Sequence, residues 1–406
     1  MKQKKRKKWR IVLVVLVLII ASLVIVWPKP PQIPEVVNDT EDLEVYLGEL
    51  VDFGTPPGMS LVVVNDEGII YEKGFGWADK PKGLSATPET VYHWWSITKI
   101  VTAFAIMQLQ EQGKLHLDEA VEKYLPYFSV FYKSDTVKNI TIRNLLNHSS
   151  GIPDAGFKIM RWTHHEGEPH LNQSEMVKTV LPDYSELAFE TGAYSEYTNI
   201  GYMVLGAIIE EITNQTYEDY VRQNILRPLG MNNTDFVYNE QMELLEAAGS
   251  HPLFNAWTPL VPFVAGTFIR ETHGNHIWLE RIYTDQTPPS GLIGSPSDAA
   301  KLVIAYLNKG VYGNERILSE ESTDLMTYDS YAKLEDNPEA YFVRQGMGWR
   351  IYKDDDGVIL EHTGGGIGFN TIIQIRPEKK IGYILFSNDT AVEGWRIIQM
   401  VSNLNW

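Results

Sequence analysis

The 406-residue chain contains no cysteine. That excludes a disulfide framework and the lipid-bearing cysteine of a lipoprotein anchor. It also lacks a Gly-x-Ser-x-Gly elbow, a phosphate-cradling loop and the glycine fingerprint of a dinucleotide fold. No repeat or low-complexity tract occurs. Basic residues are scarce beyond the first ten positions, where Lys2, Lys4, Lys5, Arg6, Lys7, Lys8 and Arg10 stand without an acid. Setting those seven aside leaves 28 Lys and Arg against 52 Asp and Glu, a net of −24. Such a surface argues against nucleic acid as a partner.

What is present begins with residues 11–27, a run without a charge. As a helix it would span about 26 Å, near the short end for crossing a bilayer. Its basic flank would stay cytoplasmic and the rest would be exported. The rival reading is a cleaved signal peptide, but no Ala-x-Ala site closes the run. The expected organisation is therefore a basic cytoplasmic tail over 1–10, a transmembrane signal-anchor over 11–27, a proline-rich spacer over 28–40 and one compact domain over 41–406, monomeric and outside the cell.

With 44% apolar residues the remainder is globular. At about 365 residues it exceeds the usual single core, so two lobes are expected. A helix at 42–53 precedes a strand pair at 59–64 and 68–74. From 96 to about 325 the pattern is mostly helical, at 96–112, 141–147, 174–180, 201–213, 217–226 and 297–308, the last capped by Ser297-Asp298. Strands return at 348–352, 358–361, 371–376 and 381–386, and a helix over 394–404 ends the chain. Strands at both ends around a helical insert predict an α+β fold with one antiparallel sheet. A crevice between sheet and insert is where ligand sites commonly form.

Three segments could carry chemistry. Ser96 and Lys99 head the glycine-free apolar run, and a helix would put them on one face. A hydroxyl needs a base to become a nucleophile, and a partly desolvated amine can supply one. Ser330-Tyr331-Ala332-Lys333 has the same form but lies in a polar stretch. Tyr197-Thr198-Asn199 offers a phenol for proton exchange, although Tyr306-Leu307-Asn308 and Tyr312-Gly313-Asn314 match it. His362-Thr363-Gly364-Gly365-Gly366 follows a predicted strand, and its glycines allow close approach to the backbone. His148-Ser149 reads as a structural cap. The 164–170 segment, His-His-Glu-Gly-Glu-Pro-His, reads as an exposed polar loop: Pro169 stands where a His-Glu-x-x-His metal site needs histidine.

Taken in this order, the three motifs resemble the penicillin-recognising serine hydrolases, specifically the class C β-lactamase, DD-peptidase and esterase branch. Gly74-Phe75-Gly76-Trp77-Ala78-Asp79, Leu145-Leu146-Asn147-His148-Ser149-Ser150-Gly151-Ile152, Arg227-Pro228-Leu229-Gly230-Met231 and the 290–298 segment are similar to further landmarks of that group. The resemblance covers most of 45–400. It implies a β-lactamase/transpeptidase-like fold, with an antiparallel sheet flanked by helices plus a mostly helical lobe. It also implies roles. Ser96 would form an acyl-enzyme, and Lys99 and Tyr197 would share its proton. Asn199 would orient Lys99 and the substrate amide, and Thr363 would touch substrate. The N–H groups of Ser96 and Gly365 would hold the oxyanion beside Gly364. No metal or cofactor is required. His362 stands where class C β-lactamases carry lysine, and a largely neutral imidazole grips a carboxylate less firmly. The expected activity is therefore that of a DD-peptidase or D-Ala-D-Ala carboxypeptidase, or an amidase. An esterase, a weak β-lactamase and a penicillin or wall-peptide sensor without turnover are the alternatives.

Overall fold

The computed structural model describes residues 31, 32, 34, 37–133, 135–137, 139–328 and 344–406. The expected tail and anchor over 1–27 lie outside the described residues, as do part of the spacer and the Ser330–Lys333 segment. Among the described residues no helix is long and apolar enough to cross a membrane.

Both ends of the chain build one sheet. The first part supplies β1 (Gly58–Asn65), β2 (Ile69–Asp79) and β3 (Leu84–Ser85). The last part supplies β4 (Arg344–Gln345), β5 (Arg350–Asp354), β6 (Gly357–Gly366), β7 (Phe369–Arg376) and β8 (Ile381–Ser387). Their order is β4-β5-β6-β7-β8-β1-β2-β3, antiparallel throughout, with β1 joined to β8 from Met59↔Ser387 to Asn65↔Ile381. The expectation of one sheet from both termini holds.

The continuous apolar run of β1 follows from burial on both faces. Met59, Leu61 and Val63 meet Leu43, Leu47 and Leu50 of helix α1 (Thr40–Phe53), with Ile397, Ile398 and Val401 of the closing helix (Gly394–Ser402). Val62 and Val64 point the other way, into the larger core shared with the helical lobe. Period-two alternation thus assigns each side chain to one of two cores.

The lobe is centred on α2 (Thr98–Glu111), buried at every position from Thr98 to Leu109. A helix apolar all round belongs inside a lobe, which explains the glycine-free run. Beside it lie α3 (Asn199–Thr213) and α4 (Pro296–Leu307). α4 begins earlier than expected. Ser295, not Ser297-Asp298, is the N-cap: it accepts from the Asp298 N–H, while Pro296 fills the first turn, where no N–H is needed. The expected helix over 217–226 is a short α-helix, Tyr217–Val221, continued by a π-helical turn, Arg222–Leu226.

Candidate active site

Ser96 is not on α2. It occupies a 3₁₀ turn, Trp95–Ile97, just ahead of that helix. Trp95 has φ +48°, which costs a non-glycine residue about 1–3 kcal/mol. Its surroundings hold it there. The Trp95 N–H donates to His93 Nδ1 at 3.1 Å, and the two rings stack with centroids 4.0 Å apart. Thr98 Oγ1 donates to the Trp95 carbonyl at 2.7 Å. His93 is fully enclosed, and burial pushes its imidazole down to about 3, so it stays a neutral acceptor.

The three distant segments converge on Ser96 Oγ. Lys99 Nζ lies 3.2 Å from it, and the Tyr197 hydroxyl donates to it at 2.8 Å. Lys99 is wholly buried and also donates to Asn199 Oδ1 at 2.7 Å and the Pro289 carbonyl at 3.0 Å. Those two oxygens can only accept, whereas a serine hydroxyl can donate. The three oxygens match the three N–H groups of an ammonium; once neutral, the amine keeps two N–H groups for the carbonyl oxygens and can turn its lone pair to Ser96. Burial drives Lys99 well below its ordinary pKa; Asp154 opposes this and Arg350 adds to it. Tyr197 moves oppositely, burial holding it above its usual value as a phenol. The pair can pass a proton from serine to amine while the phenol donates.

Asn199 is the first residue of α3, not part of a preceding turn, and Thr198 is the N-cap. Asp154 Oδ1 accepts from the Asn199 backbone N–H at 2.8 Å and from Nδ2 at 3.1 Å. This carboxylate at a helix start orients the amide so that its oxygen meets Lys99. His148 and Ser149, read from the sequence as a cap, do close the preceding helix: His148 has φ +59°, its N–H donates to the Leu145 carbonyl at 3.4 Å, and the Ser149 N–H donates to the Asn144 carbonyl at 2.9 Å. Asn147 is the C-cap, while His148 Nδ1 accepts the Thr198 N–H at 3.2 Å and its ring lies 4.7 Å from that of Tyr197.

The third segment lies within β6. Gly364 and Gly366 press against the turn that carries Ser96: a Cβ on Gly364 would sit 2.1 Å from the Trp94 carbonyl oxygen, and one on Gly366 2.3 Å from the Trp95 ring. A Cβ on Gly365 would meet nothing within 4 Å. His362 is only 2% exposed, and its Nδ1–H donates to the Thr363 carbonyl at 2.9 Å. Burial first, then Lys99 and Arg350, push it well below its ordinary pKa, so it is neutral. Arg350 on β5 places Nη1 3.1 Å from Thr363 Oγ1, with its guanidinium 5.9 Å from the Tyr197 ring centroid.

Asp154 and Arg350 are site residues that the motifs did not name, and His148 stands there only as a cap and landmark residue. Arg350 had a readable signal: Asp354-Asp355-Asp356-Gly357 is a tight hairpin turn whose register pairs Arg350 with Glu361, placing Thr363 diagonally along the same face. Asp154 and His148 carry no local signature of this contact. The sequence decoys lie elsewhere. The Tyr306 hydroxyl is within 2.8 Å of Thr327 Oγ1, and Tyr312 belongs to a separate two-stranded ribbon. In the 164–170 loop, His164 stacks on His170, and among the described residues no acid–histidine cluster suits a metal ion.

The family profile described as Beta-lactamase matches residues 47–396, which contain all three motifs. The chain belongs to the beta-lactamase family. Among its relatives, a protein of Escherichia coli O157:H7 named as a candidate D-alanyl-D-alanine carboxypeptidase is 29% identical over 385 residues, covering 87% of this chain and 82% of that one. Protein flp of Staphylococcus aureus (strain MRSA252) is 26% identical over 365 residues, covering 86% of this chain. The match spans only 63% of flp's own length. Among solved structures, the octameric penicillin-binding protein homologue of Pyrococcus abyssi superposes with a TM-score of 0.72 at 30% identity, over 90% of this chain and 78% of that one. This beta-lactamase-family chain has the α+β fold of that group.

Proposed function

We propose that the chain is a D-Ala-D-Ala-type carboxypeptidase that works through an acyl-enzyme on Ser96. The observation that carries this reading is Arg350. A buried neutral His362 cannot bind a carboxylate by charge, but the Arg350 guanidinium, held against Thr363, puts a permanent positive charge on the cleft wall. A peptide ending in a carboxylate would pair with Arg350 and Thr363. An uncharged ester or amide would leave that charge unused. The carboxypeptidase name of the Escherichia coli relative points the same way.

In this mechanism Lys99 takes the Ser96 proton as the hydroxyl attacks the scissile carbonyl. The N–H groups of Ser96 and Gly365 receive the oxyanion. Tyr197, still a phenol, passes a proton to the departing amine, and Lys99 restores it. Water then attacks the acyl-enzyme by the same route. Asn199 holds both Lys99 and the substrate amide. We read residues 11–27 as an uncleaved anchor that keeps the domain on the outer face of the membrane, on the strength of the basic flank and the missing cleavage site.

The test is release of D-alanine from an N-acylated D-Ala-D-Ala peptide, run beside labelling with a fluorescent penicillin and a nitrophenyl ester. Turnover and labelling should both vanish in Ser96→Ala. Ester hydrolysis without D-alanine release would leave the hydrolase standing and remove the carboxypeptidase. A penicillin adduct that never decays, with no turnover of any substrate, would favour the sensor reading.

A further inference from the structure

Between Glu246 and Arg270, residues 247–269 contain no Asp, Glu, Lys or Arg. A typical stretch of that length carries about five to six charged side chains. The segment is not simply core. Beyond the strand Ser250–Pro252, two short turns, Thr258–Leu260 and Val261–Val264, hold apolar side chains out into solvent. Phe254, Trp257, Leu260 and Phe263 are 51, 60, 46 and 86% exposed. On the inner side, Leu253 and Val261 pack on the main core, and Thr258 Oγ1 donates to the Pro252 carbonyl at 2.9 Å. His251, whose Nε2 lies 3.2 Å from Thr258 Oγ1, is pushed below its ordinary pKa by burial, so it adds no charge near neutrality. The result is an uncharged aromatic knob, braced at its base, on a strongly anionic molecule.

We propose that this knob docks into the interfacial layer of a lipid bilayer, the one in which the chain's own N-terminal run is anchored. Tryptophan and phenylalanine at the tip suit the boundary between headgroups and acyl chains. The spacer sets the reach: twelve residues over 28–39 extend at most about 40 Å, so an anchored domain never leaves the neighbourhood of the bilayer. An anionic domain is repelled by anionic lipid, and an uncharged projection is the part of its surface that can make contact. The knob also grows from the rim of the cleft: the Ser250 N–H donates to the Gly368 carbonyl at 3.1 Å, in the turn just beyond Gly365. Docking would hold the cleft at a fixed height above the lipid.

The proposal rests on the anchor reading but not on the carboxypeptidase one, since its test reads contact and not activity. The absence of cysteine makes Phe263→Cys a unique labelling site in the full-length chain. Val45→Cys, 59% exposed on α1, is the control. Each is labelled with an environment-sensitive fluorophore and reconstituted into phosphatidylcholine vesicles. Nitroxide-bearing lipids should quench the label at 263 at least about twofold more than that at 45, and iodide should quench it less. Leu260→Cys should repeat the result. Equal access of iodide to 263 and 45 would overturn the docking. So would protection of 263 from both quenchers, which would mean that a second copy or residues 11–27 cover the knob. Failure of the chain to float with vesicles would remove the anchor and the docking together.

Discussion

Replacing Arg350 with alanine separates substrate recognition from the chemical step. Its Nη1 is 3.1 Å from Thr363 Oγ1. A hydrogen bond to a charged group contributes about 1.5–3 kcal/mol, so losing it should lower kcat/KM for a D-Ala-D-Ala peptide roughly 10- to 150-fold. The guanidinium is partly exposed, which favours the lower end, about 10- to 30-fold. An uncharged nitrophenyl ester makes no such contact and should lose less than about threefold.

Arg350 also acts through space on Lys99, lowering its pKa after burial has done most of the work. Without that charge Lys99 should hold its proton to higher pH, and the acid limb of the pH–rate profile should move up for both substrates. The comparison must therefore be made on the alkaline plateau, where Lys99 is neutral in both proteins. Equal loss for peptide and ester on that plateau would show that Arg350 serves the architecture of β5 and β6, and the carboxylate argument would fail.

Asp154→Asn should move the same limb the other way, because the carboxylate raises the Lys99 pKa; shifts of the same sign in the two variants' pH profiles would rule out Lys99 as the titrating base. Lys99→Met should cost about 10²- to 10⁴-fold in acylation rate. It should also stabilise the fold, since Lys99 is driven below its unfolded value: the unfolded chain binds the extra proton, the native state loses ground as pH falls below about 10, and methionine removes that cost. Thermal melts at pH 7 and 9.5 should show a gain over wild type that is larger at pH 7. Asp79, 1% exposed, is raised by burial but lowered on balance by its two 2.8 Å bonds to Arg270 and by Lys82. Arg270→Ala should cost about 3 kcal/mol in chemical denaturation. Because the Asp79 pKa is depressed, its contribution is present above about pH 4 and lost on acidification, so the gap between variant and wild type should shrink in acid.

The fold was legible because alternation and apolar runs report burial directly. The two-faced burial of β1 shows as the apolar stretch Leu61–Val64, and the all-round burial of α2 as a mostly apolar, glycine-free helix. Element ends were less legible, since caps turn on single residues: Ser295 and Ser297 are equally good caps in isolation, and Pro296 decides between them. The three motifs named the groups around Ser96 Oγ, because the serine–lysine pair, the tyrosine and the glycine-rich strand each leave a local pattern. The groups that set protonation did not. Asp154 and Arg350 bias Lys99 in opposite directions from a loop and a strand far apart in sequence, and charge acting through space leaves no spacing to read.

The turn that presents the serine was hidden for a different reason. Ser-x-x-Lys is compatible with an ordinary helix, yet here Ser96 follows a residue at positive φ whose strain is held by partners from three places. His93 accepts the Trp95 N–H and stacks on its ring, Thr98 bonds its carbonyl, and Gly366 on β6 leaves room for the indole. Each is unremarkable alone. Gly364 meets the Trp94 carbonyl from the same strand, so the residues flanking the proposed oxyanion donor Gly365 brace the backbone beside Ser96. Strand and nucleophile are therefore held by one set of contacts. A side chain at 364 or 366 would push them apart together, and acylation by every substrate would suffer alike, in contrast to the selective loss expected at Arg350.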